Sequence, residues 1–130
     1  MFDSRTASGA ALAYLGDAVL EVLVRTRLVE AGYTSSKALN ARALDYVRAS
    51  AQARAMERIR PLLTEREDAV FHRGRNIGHA SHPKSATVGE YRNATGMEAL
   101  FGYLSMMGEQ ARMKELFEAA YPTEGQENAD

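Results

Sequence analysis

The chain has no cysteine. Disulfides and thiolate metal sites are therefore excluded, and this usage suits a reducing cytoplasm, the location expected here. Prolines number only three, and each falls where a helical pattern stops. No apolar run reaches the length of a membrane span before a charge interrupts it, and no signal peptide is expected at the start. No stretch alternates apolar and polar residues as a half-buried strand would. Neither a P-loop nor a dinucleotide-type GxGxxG occurs, and no Ser-His-Asp or Cys-His set is evident.

A length of 130 residues suits one compact domain. The net charge of −1 conceals an asymmetry. From residue 115 onward there are five acids and no Lys or Arg, so residues 1 to 114 carry sixteen basic side chains against twelve acids. Thirteen of the sixteen are arginine, which suits bidentate phosphate contacts better than lysine does. A solvated surface accounts for such totals equally well.

Helical signals dominate. Ser8 can cap a helix over about 9 to 31, stopped by Gly32. Ser35 or Ser36 opens a second over 37 to 60, ended by Pro61. Thr64 and Glu67 read as a capping box for a third over 65 to 75. Residues 75 to 86 have no period and read as a loop. Thr87 and Glu90 form another capping-box pattern, and the helix after it runs to about 107, open to a break at Thr95-Gly96. Gly108 separates a last helix over 109 to 120. The expected organisation is all-α, with one domain over 1 to 121 and a disordered acidic tail over 122 to 130.

Two carboxylates stand in apolar company. In ALAYLGDAVLEVLVR, residues 11 to 25, Asp17 lies between Gly16 and Ala18. In TGMEALFGYL, residues 95 to 104, Glu98 lies one turn before Gly102. Glycine inside a helix costs about 1 kcal/mol relative to alanine, so close approach of another backbone is a fitting reason for it. Two such helices crossing at their glycines would set Asp17 beside Glu98. Adjacent carboxylates repel, and need a cation, a shared proton or arginines. Oxygen ligands of this kind suit Mg²⁺. Solvent-facing or ion-paired acids are the plainer alternative, and Glu21 with Arg25 reads as such a pair.

Residues 71 to 96 carry Arg73, Arg75, Lys84 and Arg92 against the single acid Glu90. With Asn76 and Tyr91 they suit contacts to phosphate and sugar. His72, His79 and His82 lack a helix to fix their spacing and a carboxylate to complete a metal set, so they read as surface histidines.

Tyr14-Leu15-Gly16-Asp17-Ala18 and Glu98-Ala99-Leu100-Phe101-Gly102 resemble the two signature boxes of the ribonuclease III catalytic domain. Leu12 to Ala18, Arg73 to Asn76, Pro83-Lys84, Tyr91-Arg92 and Glu98 to Leu104 are similar, in order, to the short branch called mini-ribonuclease III. The resemblance covers roughly residues 8 to 118. It implies a helical homodimer that cuts double-stranded RNA to 5′-phosphate and 3′-hydroxyl ends with Mg²⁺, Mn²⁺ being a substitute. It implies Asp17 and Glu98 as the catalytic, metal-binding pair. It makes Arg73, Arg75, Asn76, Lys84, Tyr91 and Arg92 the RNA-binding candidates, and a 23S ribosomal RNA precursor the expected substrate. Two family glutamates fall on Ala10 and Ala13, and a family aspartate falls on Thr95, as in the short branch. That leaves fewer metal ligands than a full two-metal cluster. With no separate double-stranded-RNA-binding domain expected, the catalytic domain itself would hold the RNA. The alternatives are a catalytically silent module that binds structured RNA, and a helical scaffold that binds protein.

Overall fold

The computed structural model describes residues 1–77 and 86–123. They form six α-helices: α1 (Gly9–Glu30), α2 (Ser36–Val47), α3 (Ala49–Ile59), α4 (Glu65–Arg75), α5 (Val88–Met106) and α6 (Gln110–Ala120). A single 3₁₀ turn, Arg60–Leu62, links α3 to α4.

Local chemistry sets most of the boundaries. The Ser8 hydroxyl accepts from the Ala11 amide at 3.0 Å and starts α1. Both capping boxes form: Thr64 with Glu67 at α4, and Thr87 with Glu90 at α5. Each closes reciprocally, the side chain of one residue meeting the backbone amide of the other. Gly32 and Gly108 take positive φ, 99° and 69°, at the turns after α1 and α5, a conformation that side-chain-bearing residues avoid.

Two expectations are corrected. Residues 37 to 60 do not form one helix, because Arg48 has ψ of 140° and divides α2 from α3. The break serves packing. α2 buries no residue fully, whereas α3 turns Ala51, Ala55, Met56 and Ile59 inward. One straight helix would not lay both faces where they lie. The second correction is at Thr95-Gly96, where α5 runs on without a break. Gly96 there lies against Phe71, and an added Cβ would come within 2.6 Å of its ring. The glycine thus permits contact between α4 and α5 rather than ending α5.

α5 is the central helix. It packs against α1, α3, α4 and α6, and ten of its residues are buried. Met97, Leu100, Phe101 and Leu104 form its core face, with Leu20, Met56, Phe71 and Leu116 from its neighbours. A second tie lies at the edge of the bundle. Glu67 is buried, and Arg112 of α6 donates to both its carboxylate oxygens, at 2.9 and 2.8 Å. Arg112 also reaches the Leu62 carbonyl at 2.8 Å. This bidentate contact holds the Glu67 carboxyl below its ordinary range.

Candidate active site

The crossing of α1 and α5 is made by two glycines. A Cβ on Gly16 would overlap the Glu98 carbonyl, and one on Gly102 would overlap the Leu12 carbonyl. The two helices therefore touch backbone to backbone, as the glycine spacing predicts. Asp17 follows Gly16 on α1, and Glu98 lies one turn before Gly102 on α5. The crossing makes Asp17 the charged neighbour that acts on Glu98.

The two acids bear unequal burdens. Asp17 is exposed, whereas Glu98 is partly buried. Burial and the neighbouring Asp17 push Glu98 up to about 8 from an ordinary 4.5. Desolvation disfavours its charge, and a carboxylate alongside disfavours it further. Of the two carboxylates that the sequence sets in apolar company, Glu98 is the one the fold partly buries. A hard cation between the two would reverse both penalties. The donor set fits that role: two carboxylates and an open side, where waters and phosphate oxygens can complete a Mg²⁺ shell. Among the described residues no group of three or more His, Cys, Asp or Glu gathers as a metal cluster.

Thr95 fills the space where a third acid would stand. It is buried, and its hydroxyl donates to the Tyr91 carbonyl at 3.0 Å. Tyr91, Thr95 and Glu98 follow one another at helical spacing along one face of α5. Tyr91 is thus two turns, about 10 Å, from Glu98.

The basic candidates divide. Arg75 ends α4, and its Nε donates to Asn93 Oδ1 at 2.8 Å. Asn93 Nδ2 donates in turn to Glu57 Oε2 at 3.3 Å. Asn76 caps α4 and is exposed, and Arg92 is exposed in the second turn of α5. Arg75, Asn76, Tyr91 and Arg92 therefore gather where the chain leaves α4 and enters α5. Arg73 does not join them. Its Nη1 donates to the Ser4 and Ala7 carbonyls at 3.0 and 2.9 Å and binds the N-terminal segment to α4. Lys84, His79 and His82 lie outside the described residues. His72 Nδ1 lies 3.0 Å from its own helix's Asp68 carbonyl. Asn93 and Glu57 carried no sequence signal of their own, because their pairing joins helices 36 positions apart.

A family model for the ribonuclease III domain matches residues 10–109. The chain belongs to the ribonuclease III family. That is a family of double-strand-specific endoribonucleases, and the chain is such an enzyme. Its sequence is 49% identical to mini-ribonuclease 3 of Symbiobacterium thermophilum over 109 residues, covering 84% of each chain. It is 39% identical to mini-ribonuclease 3 of Enterococcus faecalis over 130 residues, covering 98% of each. A crystal structure of a Fusobacterium nucleatum protein superposes with a TM-score of 0.86 at 28% identity, covering 94% of this chain and all of that one. No helix among the described residues is long and apolar enough to cross a membrane.

Proposed function

We propose that this family member is a Mg²⁺-dependent endoribonuclease that cuts duplex RNA to 5′-phosphate and 3′-hydroxyl ends, with Asp17 and Glu98 as its catalytic pair. One observation carries the reading: two carboxyl groups are held against each other by a glycine crossing that admits no larger residue. A pair so placed is costly unless a cation or a proton joins it. Bound there, Mg²⁺ would lower the pKa of a water and neutralise charge on the scissile phosphate, and Mn²⁺ offers the same oxygen-ligand chemistry.

The protein's own groups do the rest. Asp17, exposed, and Glu98, partly buried, would hold the cation, and a cation held there would keep Glu98 ionised. Arg75, Asn76, Tyr91 and Arg92, with Lys84, contact phosphates and sugars on one side of the duplex. Recognition is by shape, since side chains do not read the deep, narrow A-form major groove. A ribosomal RNA precursor, the 23S species, is the substrate that the family resemblance favours.

The active form is a homodimer. Ala11, Tyr14, Ala18, Val22 and Val29 fall on one stripe of α1 at helical spacing. Tyr14 is 86% exposed, Val22 63% and Val29 64%. A second copy is the natural cover for such a face. Asp17 flanks this stripe, so a dimer would set two carboxylate pairs near one interface, one for each RNA strand.

The test is the chemistry of the product ends. A blunt RNA duplex incubated with protein and Mg²⁺ should yield fragments that a 5′-phosphate-dependent exonuclease degrades. Fragments with 5′-hydroxyl ends, or binding without any cut, would overturn the reading.

A further inference from the structure

A second cleft lies away from the carboxylate pair. It has a volume of about 400 Å³ and is lined by Ser4 and Arg5 of the N-terminal segment, Glu65, Arg66 and Arg73 of α4, and Tyr103 of α5. Tyr103 is five residues beyond Glu98, about 140° round the helix, so the two side chains leave α5 in different directions.

Tyr103 is the unusual member. It is 4% exposed, yet its hydroxyl has no hydrogen-bond partner among the described residues. A buried tyrosine hydroxyl ordinarily finds one. Among the described residues no fully enclosed side-chain oxygen lacks a partner, so the exposed remnant of Tyr103 includes that hydroxyl, and Tyr103 lines the cleft. Arg73 is the second. It has five N–H donors in a fixed fork, and among the described residues only its Nη1 is engaged, on the Ser4 and Ala7 carbonyls. Those carbonyls hold the guanidinium in place without neutralising it. Arg66, exposed in the first turn of α4, adds another cation where the helix dipole is positive. Arg5 is paired with Asp3 at 3.4 Å, and Glu65 is the acid in the lining.

We propose that this cleft binds a phosphate group through the Tyr103 hydroxyl and the Arg73 and Arg66 guanidiniums. The fork of Arg73 suits an oxyanion, and the phenol supplies the donor that the cleft leaves unspent. Phosphate of an RNA backbone and phosphate of a free nucleotide present the same oxygens to it. Arg73, a candidate for RNA contact on sequence, lines this cleft, apart from the other basic candidates.

The test uses the full chain with ¹³C-labelled tyrosine rings, titrated with inorganic phosphate by NMR at constant ionic strength. The Tyr103 ring signals should shift saturably. Tyr103→Phe and Arg66→Gln should each weaken binding about tenfold, as loss of a charge-assisted hydrogen bond does. Glu65→Gln should tighten it. Tyr103→Phe removes one oxygen from an intact ring, so the fold is kept, and an unchanged melting temperature will show it. Duplex RNA that displaces phosphate assigns the cleft to the RNA backbone. Phosphate that stays bound at saturating RNA assigns it to a free nucleotide, for which uridine 5′-monophosphate against uridine is the probe. The proposal is overturned if Tyr103 does not respond to phosphate, if chloride produces the same shift, or if Tyr103→Phe binds phosphate as tightly as the parent.

Discussion

Glu98 is the residue on which the account turns. Its folded pKa of about 8 lies above its ordinary 4.5. The native state therefore holds this proton more tightly than the unfolded chain does. Between those two values, rising pH costs the metal-free native state stability. In EDTA the melting temperature should fall from pH 5 to pH 8 by a component that Glu98→Gln abolishes. Added Mg²⁺ should offset the fall in the parent and not in the variant. Matching pH profiles for parent and variant would remove the strain from this site. The sequence named both carboxylates, because each stands next to, or one turn from, a glycine inside an apolar run. It did not show which would bear the burial. That depends on how far each helix tilts into the crossing, a property of packing that no single helix encodes. Arg73 illustrates a second limit. Its basic neighbours grouped it with Arg75, but its partners are carbonyls of Ser4 and Ala7, 69 and 66 positions away. At the junction of α4 and α5, Arg75→Ala should weaken binding across unrelated duplexes and flatten the salt dependence by about one unit of slope. Unchanged affinity and slope would remove Arg75 from the RNA footprint.

Elements joined by local chemistry were legible, and those joined by distant contacts were less so. Both capping boxes and the glycine turns formed where the sequence put them, because a cap needs only residues within one turn. The division at Arg48 was hidden, since no proline or glycine marks it; the need of α3 to face the core imposes it. The α1–α5 crossing can be tested directly. A Cβ at Gly102 would meet the Leu12 carbonyl, a backbone atom that cannot swing aside. Gly102→Ala should destabilise the fold by about 2 kcal/mol, and surviving folded protein should cleave poorly because Asp17 and Glu98 are moved apart. Full activity with parental stability would refute the close crossing. The link between α4 and α6 rests on Glu67 and Arg112. Glu67 is held below its ordinary range, so it contributes stability above its unfolded pKa, and this is lost as pH falls through the folded one. Arg112→Met should cost about 2 kcal/mol at neutral pH, by leaving a buried carboxylate unpaired, and the deficit should shrink in acid. Urea melts at pH 7 and pH 3 would show it; an equal deficit at both would not fit an ion pair.

For the molecule as a whole, a small helical domain has one central helix, and that helix carries half of the proposed site. α5 supplies Glu98 to the crossing, Tyr91 and Arg92 to the proposed RNA face and Tyr103 to the second cleft. The exposed stripe of α1 is the proposed dimer face. Val22→Asp should shift the dimer toward monomer in sedimentation velocity without unfolding it. A monomer already present for the parent at the concentrations where it cuts would rule out the dimer as the active form. The boxes around Asp17 and Glu98 revealed the family because they combine the glycines the crossing needs with the acids proposed for the chemistry. The second cleft was not legible, because Ser4, Arg73 and Tyr103 meet only in the folded chain. The most direct test of the paired-carboxylate site is single-turnover cleavage of an end-labelled RNA duplex across a Mg²⁺ titration, with Asp17→Asn and Glu98→Gln beside the parent. The account predicts Mg²⁺-dependent cutting of both strands by the parent, none in EDTA, and a loss of several orders of magnitude for each folded variant. Cleavage that persists in EDTA, or in either variant at the parental rate, would contradict it.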